Sequence, residues 1–294
     1  MMPVRAVFAA VAVIAIVSCG GSTPPTQPPP SGGNPPTNSD PPANTKPTID
    51  SISAQGRRAK QPPRFADVRE SIDVSATVRD PETPVDELTY QWTATLGTFN
   101  GTGRTVTWTA PDTIDNSTVV TLTLKVIENY GHPGQAKIFS HDTTSTVTVV
   151  LHDSTKEVGD MSVRFLTEFS KPQTNKDWRD VMRDFKREVC PVPSEYDDER
   201  RSVEDHIANY VMNSYSIGSA GVVVSFGGMC PFNLPGDACS SARVMWSSTG
   251  PKGGTTRGTN HLSAVYSSTD QRWWLCSSRY VEDTTFGPTF YSGR

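Results

Sequence analysis

The stretch Val78–Pro111, VRDPETPVDELTYQWTATLGTFNGTGRTVTWTAP, decides the fold of the N-terminal half of this chain. Apolar and polar residues alternate in two of its runs, LTYQWTA and TVTWTA, and the turn-forming segment GTFNGTG lies between them. Because successive side chains of a strand point to opposite faces of a sheet, this alternation predicts two strands with one buried face each. The large apolar residues that we expect in the core are Leu88, Tyr90, Trp92, Val106 and Trp108.

The same alternation extends on both sides of this stretch. It occurs in SIDVSATV before it and in VTLTLKV and STVTVVL after it, with turn-forming clusters between the runs. Several short strands within about 100 residues are typical of a β-sandwich, which we predict for residues 47–152. The quoted stretch resembles the Ig-like and PKD-type domains of bacterial surface proteins. The resemblance implies a spacer or adhesion module without catalysis.

The turn DPETPVDE contains a cluster of acidic residues. Asp80, Glu82 and Asp86 are candidate ligands for Ca²⁺, which related extracellular domains bind between strands. Calcium takes about 6–8 oxygen ligands, and these side chains supply only part of such a shell. A solvated turn is therefore the preferred interpretation, and we predict no metal and no cofactor.

The first residues of the chain have the layout of a secretory signal peptide. One arginine precedes an apolar stretch of 12 residues, Ala6–Val17, which is shorter than the roughly 20 residues of a membrane span. Residues 1–18 would thus be removed. The sequence Ile16-Val17-Ser18-Cys19 resembles the bacterial lipobox, which implies that Cys19 carries a diacylglycerol and an amide-linked acyl chain such as palmitate. Gly20, directly after the cysteine, then favours the outer membrane as the destination of the lipoprotein. The alternative to lipidation is an ordinary signal peptide followed by a chance cysteine.

Residues 19–46 are rich in Pro, Gly, Ser, Thr and Asn and almost lack apolar side chains. Such a segment cannot bury enough apolar surface to offset the entropy lost on ordering. We therefore predict a disordered tether. Its prolines favour the extended polyproline II conformation, at about 3.1 Å per residue.

The pattern changes near residue 156, where apolar residues begin to recur at helical spacing. Two helical stripes, around Val158–Phe169 and Trp178–Val189, precede a weaker third one in SEYDDERRSVEDHIANY. Strand-like runs follow: AGVVVSF, ARVMWSS, HLSAVYSS and RWWLCSSRYV. This order predicts an α+β domain over residues 156–285, with residues 286–294 as a tail.

The order of helices and strands, and the final run HLSAVYSSTDQRWWLC, resemble the NTF2-like (SnoaL-like) fold. That resemblance implies a bent antiparallel sheet with helices packed into its concave face and a cone-shaped pocket between them. Enzymes of this fold usually place acid and base residues in the cone. The candidates are Asp205, His206, Tyr210, Tyr215 and His261, although ordinary packing or surface roles for them are the preferred interpretation.

Of the five cysteines, four lie in this second domain: Cys190, Cys230, Cys239 and Cys276. An even number in an exported chain predicts two disulfides rather than a zinc site, because no CxxC spacing is present. Three connectivities are possible. We favour Cys230–Cys239, which closes a small loop, together with Cys190–Cys276.

A net charge of −4 gives no basic surface for nucleic acid. We therefore expect a lipid-anchored protein of the cell envelope that presents an NTF2-like head on an Ig-like spacer. Its partners would be the membrane, through the anchor, and a surface protein, a glycan or a small molecule. The alternative is an isomerase, cyclase or dehydratase that uses Asp, His and Tyr as acid–base residues.

Overall fold

The computed structural model describes residues 40–58, 61–171, 177–251 and 253–283. The predicted signal peptide, Cys19, most of the tether and the tail 286–294 lie outside the described residues. From Pro41 onward the chain forms one compact unit. Strands predominate in it, so the predicted β-rich fold class is confirmed at this coarse level.

The N-terminal half, hereafter the sandwich, consists of two four-stranded sheets that share one core. The first sheet has the order β1-β3-β6-β5 and the second has the order β2-β8-β7-β4. The strands are β1 (Thr48–Gln55), β2 (Phe65–Asp67), β3 (Ser71–Arg79), β4 (Thr89–Ala94), β5 (Thr98–Asn100), β6 (Thr105–Thr109), β7 (Thr118–Tyr130) and β8 (Phe139–His152).

The core of the sandwich is filled by the apolar residues that the alternating sequence pattern predicts for the inner faces of the strands. Trp108 is fully buried between the sheets, and its indole N–H donates to the carbonyl of Leu96 at 3.0 Å. Trp92 is partly buried and donates to the carbonyl of Gly103 at 3.0 Å. Gly97 has a φ of 77°, and a Cβ there would lie 2.7 Å from Trp108 Nε1. Only glycine therefore fits this turn against the tryptophan.

The C-terminal half, hereafter the head, packs helices against one face of an antiparallel sheet with the order β12-β11-β10-β9. Its elements are α1 (Ser154–Phe169), α2 (Trp178–Val181), α3 (Pro193–Asn209), β9 (Val211–Phe226), β10 (Ala238–Thr249), β11 (Gly254–Ser267) and β12 (Arg272–Glu282). Among the described residues, no helix combines the length and the hydropathy needed to cross a bilayer.

The second predicted helix is shorter than its sequence pattern indicates. Helix α2 ends at Val181, and only a 3₁₀ turn at Arg187–Val189 follows. Between them the backbone runs beside β12: Phe185 forms a parallel bridge with Leu275, whose N–H donates to the carbonyl of Asp184 at 2.8 Å. Val181, Met182 and Phe185 are still buried, but pairing with the sheet replaces the helix after α2. Tertiary contacts thus outweigh a weak local preference.

The sandwich joins the head without a linker. Strand β8 ends at His152 and α1 begins at Ser154, so Asp153 alone separates them, and its carboxylate caps α1 by accepting from the Lys156 N–H at 3.0 Å. A carboxylate oxygen of Asp67, at the end of β2, accepts from the N–H of Ser154 at 2.9 Å. Side chains thereby satisfy two of the four orphan donors at this helix end.

A cluster of buried rings completes this junction. The Phe65 ring of β2 belongs to the head core, stacks on His152 at 4.9 Å and meets Tyr266 edge-on at 4.6 Å. His152 is fully buried, with Nδ1 3.0 Å from both carboxylate oxygens of Glu157 and Nε2 3.2 Å from the Tyr266 hydroxyl. Burial is the main cause that raises the pKa of Tyr266 to about 12. The sandwich and the head therefore form one body at this boundary.

Two disulfides lie in the head. Cys190 pairs with Cys276 of β12, and Cys230 pairs with Cys239 of β10, each with a Cα–Cα distance of 5.4 Å. This is the connectivity that the sequence favoured among the three possibilities. Cys276 is buried in the sheet, whereas the second bond closes the loop that precedes β10.

The adjacent tryptophans Trp273 and Trp274 offer a matched test of the head core. Trp273 is buried, and its indole N–H donates to Ser154 Oγ at 2.9 Å. Trp274 points to the other face, where its ring lies 4.0 Å from the Arg272 guanidinium. We predict that Trp273→Ala lowers the unfolding free energy by about 3–5 kcal/mol and Trp274→Ala by clearly less, measured by denaturant unfolding. Equal losses would contradict this assignment of faces.

Candidate functional site

The interior of the head is where the resemblance to NTF2-like proteins implies a pocket. The inner face of the sheet and the inward faces of the helices form one continuous apolar cluster there. The buried members that meet across the helix–sheet boundary are Val158, Met161, Phe165, Val203, Val244, Leu262, Leu275 and Trp273.

His206 is part of this interior. It is buried on α3, its ring stacks on Phe169 at 4.2 Å, and it lies parallel to Tyr210 at 5.2 Å. Phe169 in turn lies 6.1 Å from Trp246 of β10, which places the group on the helix side of the sheet. Asp205 is exposed and accepts from Asn209 Nδ2 at 2.8 Å. As expected for consecutive helical residues, Asp205 and His206 face different directions.

His261 lies on the opposite face of the same sheet. Its neighbour Leu262 belongs to the core, so His261 points outward by strand alternation. There its Nδ1 is 2.8 Å from Ser241 Oγ, and its ring is 5.3 Å from that of Phe232. Partial burial lowers the pKa of His261. The two histidines are therefore separated by the sheet and cannot act on one substrate.

Tyr215 lies on β9 opposite Trp246 and packs against the head core. Its hydroxyl is buried without a hydrogen-bond partner among the described residues. Burial raises the pKa of this phenol far above its usual range. Of the predicted pocket residues, His206 and Tyr210 stack on each other.

Glu199 is a buried acidic group that the sequence pattern did not reveal. It lies on α3, and its carboxylate accepts from the Ser278 N–H at 2.9 Å and from the Ser278 hydroxyl at 2.8 Å. Burial raises the pKa of Glu199 to about 7, although the two hydrogen bonds oppose this shift. Its helix carries many charged residues, so a single inward carboxylate has no distinguishing signal in the sequence. The carboxylate ties α3 to β12.

The acidic turn of the sandwich does not gather its three predicted carboxylates around one point. Asp80 accepts from the N–H groups of Glu82 and Thr83, and Asp86 pairs with Arg104 at 3.0 Å. Glu82 instead accepts from Thr45 Oγ1 at 2.9 Å. In the part of the chain that the structure describes, no group of three or more His, Cys, Asp or Glu residues could hold a metal.

A cleft of about 340 Å³ lies between the sandwich loop 114–117 and α1. Several of its charged side chains form ion pairs, among them Lys156 with Asp160 at 2.6 Å and Arg164 with Asp184 at 2.7 Å. Much of the charge on the walls of this cleft is therefore already compensated.

Glu199 predicts a dependence of stability on pH. Its pKa is raised in the folded protein above the ordinary value of 4.5, so its contribution is fully present below pH 4.5 and is lost as pH rises through 7. One pKa unit corresponds to about 1.4 kcal/mol, so the loss approaches about 3 kcal/mol. We predict that Glu199→Gln removes this part of the pH dependence, measured by denaturant unfolding between pH 5 and 8.

The control is Glu204→Gln, on a partly exposed position of the same helix that pairs with Arg200. It should leave the pH dependence of the unfolding free energy unchanged. An unaltered slope in Glu199→Gln would show that this carboxylate is not responsible.

No family model, no curated protein and no solved structure matches the chain.

Proposed function

We propose that this chain is an exported protein held at the cell surface by lipid on Cys19, and that its head binds or assembles with a partner at the cell envelope. In this proposal the sandwich is an Ig-like spacer, the head is NTF2-like, and neither is catalytic. The observation that carries the proposal is the separation of His206 and His261 onto opposite faces of the head sheet.

An acid–base enzyme of the alternative kind needs at least two convergent titratable groups within reach of a substrate. In the head interior, His206 stacks on Phe169 and on Tyr210, beside an apolar cluster. His206 is packed among aromatic rings rather than facing a polar cavity. This supports a binding or structural head over an isomerase, cyclase or dehydratase.

The junction and the disulfides support display outside the cell. Disulfides persist mainly in oxidising compartments, and the head carries two of them. The ring cluster of Phe65, His152 and Tyr266 fixes the head to the sandwich. A rigid body on a proline-rich tether would present the head at a distance from the membrane.

The anchor is tested with Cys19→Ser in a bacterial host that processes lipoproteins. Cells are fed an alkyne-labelled palmitate, and the protein is followed by label incorporation, membrane fractionation and mass spectrometry of its N-terminus. We predict that the wild type takes up label and sediments with membranes and that the variant does neither. A mature wild-type protein that starts at Met1, or label that persists in the variant, would contradict lipidation of Cys19.

The binding role is tested with a photo-crosslinking amino acid at exposed apolar positions of the head and the sandwich. Met229, immediately before the disulfide loop of the head, and Val119, on β7, are both well exposed. We predict a discrete crosslinked product on intact cells from position 229 and none from position 119. Products from neither position, together with a substrate turnover that His206→Gln abolishes without changing the melting curve, would favour the enzyme alternative.

A further inference from the structure

The sheet of the head has an outer face, opposite to the face on which the helices pack. Strand alternation and strand pairing place four outward side chains in one row across it, hereafter the outer row: Val223 on β9, Ser241 on β10, His261 on β11 and Arg279 on β12. His261 Nδ1 lies 2.8 Å from Ser241 Oγ, so the two central members are joined. With neighbouring strands about 4.8 Å apart, the row is roughly 14 Å long.

The loop closed by Cys230 and Cys239 brings an aromatic ring onto the outer row. The ring of Phe232 lies 5.3 Å from that of His261, and the Arg279 guanidinium lies 5.1 Å from the centroid of the same phenyl ring. Phe232 is nevertheless 50% exposed. The buried core of the loop consists of Leu234 and the disulfide, so the loop has an apolar core without Phe232.

The backbone that carries this ring is strained. Phe232 has a φ of 62° and Asn233 a φ of 58°, in the left-handed region that a bulky residue such as phenylalanine rarely adopts. Such conformations persist only where the surrounding structure imposes them, and they cluster at functional sites. An aromatic side chain held in a strained loop and left half-exposed is better explained by contact with a ligand than by packing.

The outer face carries an excess of positive charge. The four strands contain one acidic residue, Glu282, which by alternation falls on the helix side. Three arginines point outward, and two of them, Arg243 and Arg257, share the carboxylate of Asp283 just after β12. No carboxylate of the described residues pairs with the third, Arg279. Its charge is therefore available to an anionic ligand.

We propose that the outer row binds a polysaccharide that carries carboxylate groups, with Phe232 as the platform for a sugar ring and Arg279 as the partner of a carboxylate. A guanidinium matches a carboxylate through two parallel hydrogen bonds. The apolar C–H face of a sugar ring can pack on an aromatic ring, while the Ser241 hydroxyl and the His261 imidazole can hydrogen-bond to sugar hydroxyls. This inference rests on the proposed binding role of the head and names the partner for it.

The arrangement favours a sugar over an acidic peptide. Peptides that bind to a sheet add along its edge, and acidic motifs are recognised by clusters of arginines. The outer row instead runs across the strands and has one uncompensated arginine. The neighbouring outward residues Ser225 and Thr259 add further hydroxyls, which both donate and accept hydrogen bonds as sugar hydroxyls require.

The experiment measures binding to the full-length protein in detergent by isothermal titration calorimetry. The probes are uronic acid oligosaccharides prepared from polygalacturonate, alginate and hyaluronate, each compared with the same oligosaccharide after chemical reduction of its carboxyl groups. We predict saturable binding of at least one of them. Its carboxyl-reduced form should bind more weakly by on the order of tenfold or more, because the charge-assisted hydrogen bonds to Arg279 are lost.

Two variants and one control make the test specific. Arg279→Gln should lower the affinity for the acidic oligosaccharide to about that for its reduced form. Phe232→Gly should weaken the binding of both forms without lowering the Tm, because glycine adopts the left-handed conformation without strain. The control, Arg201→Gln on the exposed side of α3, changes the net charge by the same amount as Arg279→Gln and should retain affinity.

Failure to bind any of the acidic oligosaccharides would overturn the proposal. If photo-crosslinking at position 229 still gave a product on intact cells, the binding role of the head would stand and only the assigned partner would be wrong. Equal losses of affinity in Arg201→Gln and Arg279→Gln would also contradict it, as would a lower Tm with unchanged affinity in Phe232→Gly. Binding of polyglutamate that depends on Arg279, without binding of any oligosaccharide, would assign the row to an acidic peptide instead.

Discussion

The direct passage of the chain from β8 into α1 is the constraint on which the rest of this structure depends. With Asp153 alone between the two elements, the head cannot turn away from the sandwich. The short strand β2 lies beside the last residues of β8 and inserts Phe65 into the head core. At the end of β2, the carboxylate of Asp67 accepts a hydrogen bond from the N–H of Ser154, the first residue of α1. Residues of the sandwich thus complete the hydrophobic core of the head. Without the other half, the packing and hydrogen bonding of each half would be incomplete at this boundary.

Sequence periodicity predicted the sandwich well where one face of a strand is buried and the other is solvated. Strands β3, β4, β6, β7 and β8 all coincide with runs of alternating apolar and polar residues. Strand β1 and the first half of β9 were missed, because each contains a register shift that interrupts the alternation of apolar and polar residues in its sequence, TIDSISAQ or VMNSYSIG. Their identity as strands depends on pairing with β3 and β10, which a local pattern does not contain. The helical period around Trp178–Val189 predicted burial correctly and conformation wrongly.

The candidate site was harder to predict than the fold, for a related reason. Periodicity tells which residues of one element share a face, but it does not tell which faces of different elements meet. His206 and His261 were equally good candidates in the sequence, yet one is stacked inside the head and the other lies on the outer face of the sheet. Glu199 is conversely buried in the head, although it occurs in polar surroundings in the sequence. Inward charges of this kind are visible only when their hydrogen-bond partners are known.

The bond between Cys190 and Cys276 also has a consequence for the head when its backbone is cut. Over a sequence separation of 86 residues, it encloses all of α3, β9, β10 and β11 in one covalent ring. A protease that cuts the backbone once inside this ring, for instance near the hairpin between β10 and β11, opens the ring but releases no fragment. The two pieces stay joined through sulfur and remain paired within the same sheet. A nicked head would therefore be detected as two chains only after reduction.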